Sequence, residues 1–242
     1  MNNDTNSRGT ILAKVIIDLA SFIGMFLAEI LSFEQLKYWQ AHKGQLKQNL
    51  RDAFKMPLEE FANMRLDWQA FYKKRYGWDV DFSQVLIPAR TSLAHRLEII
   101  AKELTCDKVY DSWPFSKWKY VDGSLDAAVP TNARSSANGH YAIWILDGVE
   151  PDAEFLGKST EVADPKIKVG MTLLERLLLE DKYFDETGKH LDIVGGTFCG
   201  GSRDSDGGVP CVDLGHDGKV FVDRDFVSGS APGYGVRRAV ST

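Results

Sequence analysis

The chain has 242 residues, 44% of them hydrophobic and 26% charged, and a formal net charge of −5. That hydrophobic share excludes wholesale disorder, and the acidic balance argues against a nucleic-acid-binding body, which needs concentrated Lys and Arg. Three cysteines, Cys106, Cys199 and Cys211, contain no C-x-x-C pair and leave one over in any disulfide scheme, so buried thiols and a cytoplasmic address are expected.

Residues 1–9 are polar. The segment 11–33, ILAKVIIDLASFIGMFLAEILSF, alone raises the question of a membrane. It lacks a basic n-region and a small-residue cleavage site, and Asp18 interrupts it, so a cleaved signal peptide is not expected. On a helix Lys14, Asp18, Ser21 and Glu29 fall near one narrow stripe and leave a wide apolar face. Such a face has to be covered. Contact with a core or a second copy is expected ahead of membrane association, because intramembrane carboxylates are costly.

Ser32 and Gln35 have capping-box spacing before a second helix with Leu36, Trp39, Leu46, Leu50 and Phe54 on its apolar side. Its basic side, Lys37, Lys43, Lys47 and Arg51, reads as a solvated face. A third helix is expected to start at Pro57, carry an aromatic-rich core stripe (Leu58, Phe61, Met64, Trp68, Phe71, Tyr72) and stop at Gly77. After an extended connector at 79–89, Leu93, Leu97, Ile100 and Leu104 predict a fourth helix from residue 90 or 91 to 104, with His95 off the stripe and facing solvent. Residues 1–104 are thus expected to be a helical support that assembles copies.

Beyond Cys106 the pattern changes. Trp113, Phe115, Trp118 and Tyr120 are spaced as a strand region, and YAIWIL at 141–146 is a strand apolar on both faces, hence central. The loop 147–169 is long enough to be a lid or an edge excursion. Thr172 and Glu175 make a capping box that opens a helix ending at Gly188, and from Leu191 onward the chain reads as strands.

The last stretch is compositionally distinct. Residues 1–200 hold 45 Lys, Glu, Gln, Met or Trp, whereas 201–242 hold only Lys219, against roughly nine at the upstream rate. Val209, Val212, Leu214, Val220, Phe221, Val222 and Phe226 still alternate as short strands, so the segment folds. Randomising the first two bases of an AAC-like codon yields fifteen residue types and never those five. Turn-rich β structure using Gly, Asp, Ser and Val is the competing explanation.

The order of aromatic strand, central strand, capped helix and glycine-rich strands ending in Gly235-Val-Arg-Arg-Ala-Val-Ser241 resembles the C-type-lectin-like fold of formylglycine-generating-enzyme-like domains. The same fold serves the variable proteins of diversity-generating retroelements. DFSQVLIPAR at 81–90, HYAIW at 140–144, TLLERLLLE at 172–180, TGKHLD at 187–192 and GSRDSDG at 201–207 also resemble a protein family of candidate-phylum bacteria that carries no established activity. The resemblance implies an α+β chain: helical support over 1–104, then a C-type-lectin-like domain of mainly antiparallel strands over 105–242, with 201–242 its variable region. It implies a non-enzymatic ligand-binding protein without cofactor or metal.

Under that resemblance Ser202, Arg203, Ser205, Asp206, Gly207, Val209, Pro210, Val212 and Val222 are frame. Asp204, Gly208, Cys211, Asp213, His216, Asp217, Phe221, Asp223, Asp225, Phe226 and Tyr234 are displayed, with Asp204, Asp213, His216, Asp217, Phe221, Asp223, Asp225, Phe226 and Tyr234 contacting an unknown protein or surface ligand. Leu214 and Arg224 depart from the pattern, which has tryptophan there, and adenine-directed diversification does not produce that change. The alternatives are a structural or interaction protein of a phage or mobile element and, third, a formylglycine-generating-type enzyme. The enzyme would need a close cysteine pair, and Cys199 and Cys211 are twelve positions apart. Asp204-Ser-Asp206-Gly-Gly has Gly215 where an EF-hand loop needs Glu, and His190, His216 and Cys199 lack zinc-site spacing.

Overall fold

The computed structural model describes Tyr38, 41–90, 95–164 and 166–241. The wide-faced helix expected at 11–33, the Ser32 and Gln35 capping box, and any assembly through them lie outside the described residues. The break expected at Pro57 does not occur, because α1 (Lys43–Tyr76) is one 34-residue helix. The loss of one N–H is tolerated in a segment, FKMPLEEFANM, rich in strong helix formers. Gly77, at φ +71°, ends it, its N–H reaching Lys73 O at 3.1 Å.

The chain divides into two compact units, Met1–Glu60 and Phe61–Thr242. The second contains every described strand. Within it the aromatic stripe of α1 is core, as its helical spacing predicts: Trp68, Phe71 and Tyr72 are buried. Their polar tips are satisfied by the neighbouring strand, Trp68 Nε1 donating to Leu97 O (3.2 Å) and Tyr72 Oη to Ile99 O (3.0 Å).

That neighbour corrects the expected fourth helix. Residues 95–100 form a strand, β1 (His95–Ile100), and 91–94 lie outside the described residues. The helical spacing misled because Leu97, Glu98, Ile99 and Ile100 are all buried: a strand covered on both faces has no two-residue alternation to betray it. β1 pairs antiparallel with β4 (Tyr141–Leu146) along its whole length, so the boundary expected at 104/105 falls inside the second unit. β4 is central as predicted, its other edge taken by β10 (Ala239–Val240). Trp144 on β4 is fully buried and anchors the irregular 79–90 connector through Pro88 O at 2.8 Å.

The region of Trp113 to Tyr120 is only partly extended. Thr105 caps a short helix, α2 (Cys106–Ser112), by accepting from Lys108 N, Trp113 is its C-cap, and the strand β2 (Lys117–Lys119) retains only Trp118 of the four aromatics. α3 (Leu125–Ala128) and β3 (Thr131–Asn132) follow, and 3₁₀ turns lie at Ser136–Asn138 and Ala153–Phe155. After α4 (Thr160–Ala163) comes α5 (Leu173–Thr187), with the expected capping box: Thr172 Oγ1 accepts from Glu175 N (3.3 Å) and Glu175 Oε2 from Thr172 N (2.7 Å). Gly188 closes it in the left-handed region, and ten consecutive residues from Leu173 are buried because α5 packs on β1, α2 and the second sheet.

That second sheet has the order β2-β8-β7-β5-β9, with β5 (Gly196–Phe198), β7 (Val209–Leu214), β8 (Val220–Asp225) and β9 (Tyr234–Val236), while β6 (Ser202–Arg203) pairs with β3. Among the described strands only β2 with β8 and β5 with β9 run parallel. The fold is mixed α+β with mostly antiparallel pairing. No described helix is long and apolar enough to cross a membrane.

Candidate functional site: the outer face of the five-stranded sheet

β7, VPCVDL, and β8, VFVDRD, pair with Cys211 opposite Asp223 and Asp213 opposite Phe221. Side chains alternate across a strand, so Val212, Val220 and Val222 enter the main core while Cys211, Asp213, Phe221, Asp223 and Asp225 share the outer face. Trp118 of β2 is the parallel partner of Phe221; their rings lie 5.5 Å apart and Trp118 is 44% exposed. On the far side of Asp213, Gly196 pairs with both Asp213 and Tyr234. A Cβ on Gly196 would sit 2.4 Å from Tyr234 Cε1. The glycine therefore lets the tyrosine ring lie across its strand, from where Tyr234 Oη donates to Asp213 Oδ2 at 2.9 Å. Trp118, Phe221, Asp213 and Tyr234 form one row across the sheet.

The other end of this face is covered. Phe155 packs with Phe198, Val209, Cys211 and Val236 in a small second core, and Gly157 N–H bonds Tyr234 O at 2.8 Å. The loop at 147–169 thus seals half of the face and leaves the Trp118 to Tyr234 row open.

Burial, joined by the negative charge of Asp223, raises the Asp213 carboxyl above the ordinary aspartate range, partly offset by the Tyr234 hydrogen bond. Burial also raises the Tyr234 phenol, and the Asp213 charge adds to it. Cys211, beneath Asp223, Asp213 and Asp225, is held as a thiol by burial and by those charges.

The rigid surround accounts for residues the sequence reading placed differently. Asp204 is buried, 5% exposed, not displayed. Its carboxylate accepts from Asp206 N (2.9 Å), Gly208 N (2.7 Å) and Arg224 Nη1 (3.0 Å). Burial alone would raise that carboxyl, but Arg224 and the two N–H groups hold it below the usual range. Cys211, also expected on display, is buried at 6%. His216 and Asp217 occupy the exposed tip of the β7–β8 hairpin, where Gly218 supplies φ +77°. Phe226, 79% exposed, begins the loop after β8, and Gly229 of that loop packs against the Asp225 carboxylate. Of the nine predicted contact residues, Asp213, Phe221, Asp223, Asp225 and Tyr234 therefore lie on one face of the sheet, His216, Asp217 and Phe226 stand at the margins, and Asp204 belongs to the scaffold.

Sequence reasoning missed what holds the open row in place. Arg237 is 1% exposed and donates to Thr197 Oγ1 (3.0 Å), Gly148 O (2.8 Å), Val149 O (2.6 Å) and Asp192 Oδ1 (2.5 Å). Arg176, fully buried, holds Asp192 Oδ2 at 2.9 Å and Glu180 at 2.9 Å. Burial of Asp192 opposes its charge, but the two guanidiniums outweigh that and keep the carboxyl below its ordinary value. Two cations and two carboxylates cancel inside the fold and tie β5, β9, α5 and the 148–149 loop together. Trp118 was also missed as a site residue: K-W-K alternation predicts an inward ring, but Lys117 and Lys119 turn over Tyr110 and leave Trp118 44% exposed.

Among the described residues no three His, Cys, Asp or Glu side chains are grouped to hold a metal ion. No protein-family model, curated protein or solved structure matches the chain.

Proposed function

We propose that the chain is a non-enzymatic ligand-binding protein whose C-terminal segment displays a diversified recognition surface on a C-type-lectin-like domain, with the N-terminal helical region assembling copies. The observation that carries this reading is the division of labour on β7 and β8. Val212, Val220 and Val222 are in the core, while Asp213, Phe221, Asp223 and Asp225 lie on the opposite face. Side chains on such a face can vary without disturbing backbone pairing or the core, which is the physical condition for diversification. The return of β10 beside β4, two strands from β1, brings the first and last described strands into one sheet.

The test is to sequence the genomic locus for a reverse transcriptase and a near-copy of the codons for 201–242, with adenines at Asp213, Phe221, Asp223, Asp225, Phe226 and Tyr234. Both are expected. Absence of both, or adenines confined to codons of core residues such as Val212 and Val222, sinks the reading.

A further inference from the structure

The open half of the outer face carries negative charge with no cation of its own. Among the described residues Asp213, Asp223 and, beside the covered end opposite Val209, Asp225 form no ion pair; Asp213 accepts from a neutral phenol, and Asp223 and Asp225 accept from the backbone N–H of Arg224 and Phe226. The cations nearest in the strands are engaged elsewhere. Lys117 and Lys119 lie over the Tyr110 ring at 4.8 and 5.2 Å, Arg224 bonds Asp204 and Asp206, and Lys219 bonds Asp217 at 2.8 Å. Beside the carboxylates stand two aromatic rings, Trp118 and Phe221, in contact with each other and partly open to solvent. At the Tyr234 end, where the backbones of Gly195 and Gly233 touch, Ile193 and Val194 are 57% and 85% exposed.

We propose that this half-face binds an arginine-bearing segment of a protein partner. The guanidinium lies against Trp118 and Phe221 and donates to Asp213 and Asp223, while apolar residues of the same segment cover Ile193 and Val194. The inference rests on reading this face as a binding surface. Charge complementarity selects the occupant: an acidic or purely apolar partner would desolvate three carboxylates and leave them unpaired. Arginine fits better than lysine because its planar fork stacks on aromatic rings and satisfies carboxylates at the same time.

The test uses the full chain and two fluorescein-labelled peptides identical except that two arginines, set among valines, are replaced by aspartates in the twin. Fluorescence anisotropy should show the arginine peptide bound at least about tenfold more tightly than its twin, and weakening as salt rises from about 50 to about 500 mM. Asp213→Asn, Asp223→Asn and Asp225→Asn together should weaken binding by about tenfold or more, Trp118→Ala by severalfold, and Glu103→Gln in the exposed turn after β1 not at all. Circular dichroism checks that the triple variant folds; Trp118→Lys, which sets a cation on an exposed position, should abolish binding independently. Failure to bind the arginine peptide, equal binding of the twin, or unchanged binding by both the triple variant and Trp118→Lys overturns the proposal. A diversified locus without arginine binding would sink this inference alone. Arginine binding without a diversified locus would sink the diversification and keep the cationic partner.

Discussion

Arg237 and Arg238 are adjacent and chemically identical, yet the fold uses them in opposite ways, which makes a paired substitution informative. Arg237→Met keeps the aliphatic volume but removes four hydrogen bonds and leaves the Gly148 and Val149 carbonyls without that donor. Breaking a buried ion pair from one side costs about 3–5 kcal/mol, so a loss near 4 kcal/mol is expected. That is a large part of the roughly 5–15 kcal/mol that holds a typical domain folded. Arg238 pairs with Glu154 at 3.0 Å, but both side chains are about half exposed, and Arg238→Met should cost no more than about 1 kcal/mol. Urea unfolding at constant m-value measures both. The pH dependence adds a second readout. Asp192 has a depressed folded-state pKa, so its contribution is present above its unfolded value near 3.9 and is lost as pH falls through the folded value. Removing one of its two guanidiniums raises that folded value, so the Arg237→Met penalty should shrink below about pH 4. Equal costs for the two variants, or an Arg237→Met penalty that is small and independent of pH, would refute the assignment of Arg237 as the tie between β5, β9 and the 148–149 loop.

Three further outcomes follow from the same packing. Glu98 is fully buried with no hydrogen-bond partner on either oxygen among the described residues, and burial followed by the Glu175 charge raises its pKa, so stability contributed below its unfolded value is lost as pH rises. Glu98→Gln should therefore raise the Tm at pH 8 and change it little at pH 4; a lower Tm at pH 8 would contradict this. A Cβ at position 195 would meet Gly233 O at 1.7 Å, a backbone clash, whereas position 218 has open space and only φ +77° to resist it. Gly195→Ala should cost about 2–3 kcal/mol and Gly218→Ala about 1 kcal/mol in urea unfolding, and the reverse order would overturn the contact. Burial pushes the Cys199 thiol up to about 12 and the other two cysteines are buried as well, so a thiol reagent at pH 8 should label none of them until the protein is unfolded.

How much was legible in the sequence depended on whether a signal was local. The Thr172 and Glu175 box and the Gly188 stop are complete within a few residues and appear as expected. The apolar run at 141–146 is a strand because nothing but a central position buries both its faces. The same double burial hid β1, since Glu98 sits among apolar neighbours in a pattern that also satisfies helical spacing. Asp204 illustrates a different limit. Its turn chemistry is visible in D-S-D-G-G, but the partner that buries it, Arg224, lies twenty residues on and arrives only through the β7–β8 hairpin. Arg237 is the extreme case: its partners at 148, 149, 192 and 197 lie forty or more residues upstream, and no spacing within the terminal motif announces them.

The placement of these long-range ties bears on how a varied surface could be tolerated. Gly196 carries two roles at once: it passes the Tyr234 ring on the outer face and stands one residue before Thr197, which bonds Asp192 within the buried charge cluster. The cluster fixes β5, and β5 fixes both β7 and β9, so the backbone under the open row is determined from below. The outer side chains inherit positions and define little beyond themselves: Tyr234 bonds Asp213, and Asp223 and Asp225 accept from the N–H of the residue that follows each. Neutral pairing of Arg176, Arg237, Asp192 and Glu180 inside the fold also leaves the net charge of the outer face free to be set by Asp213, Asp223 and Asp225 alone. A substitution on the face should then change what binds long before it changes whether the domain folds, whereas a substitution in the cluster should do the opposite.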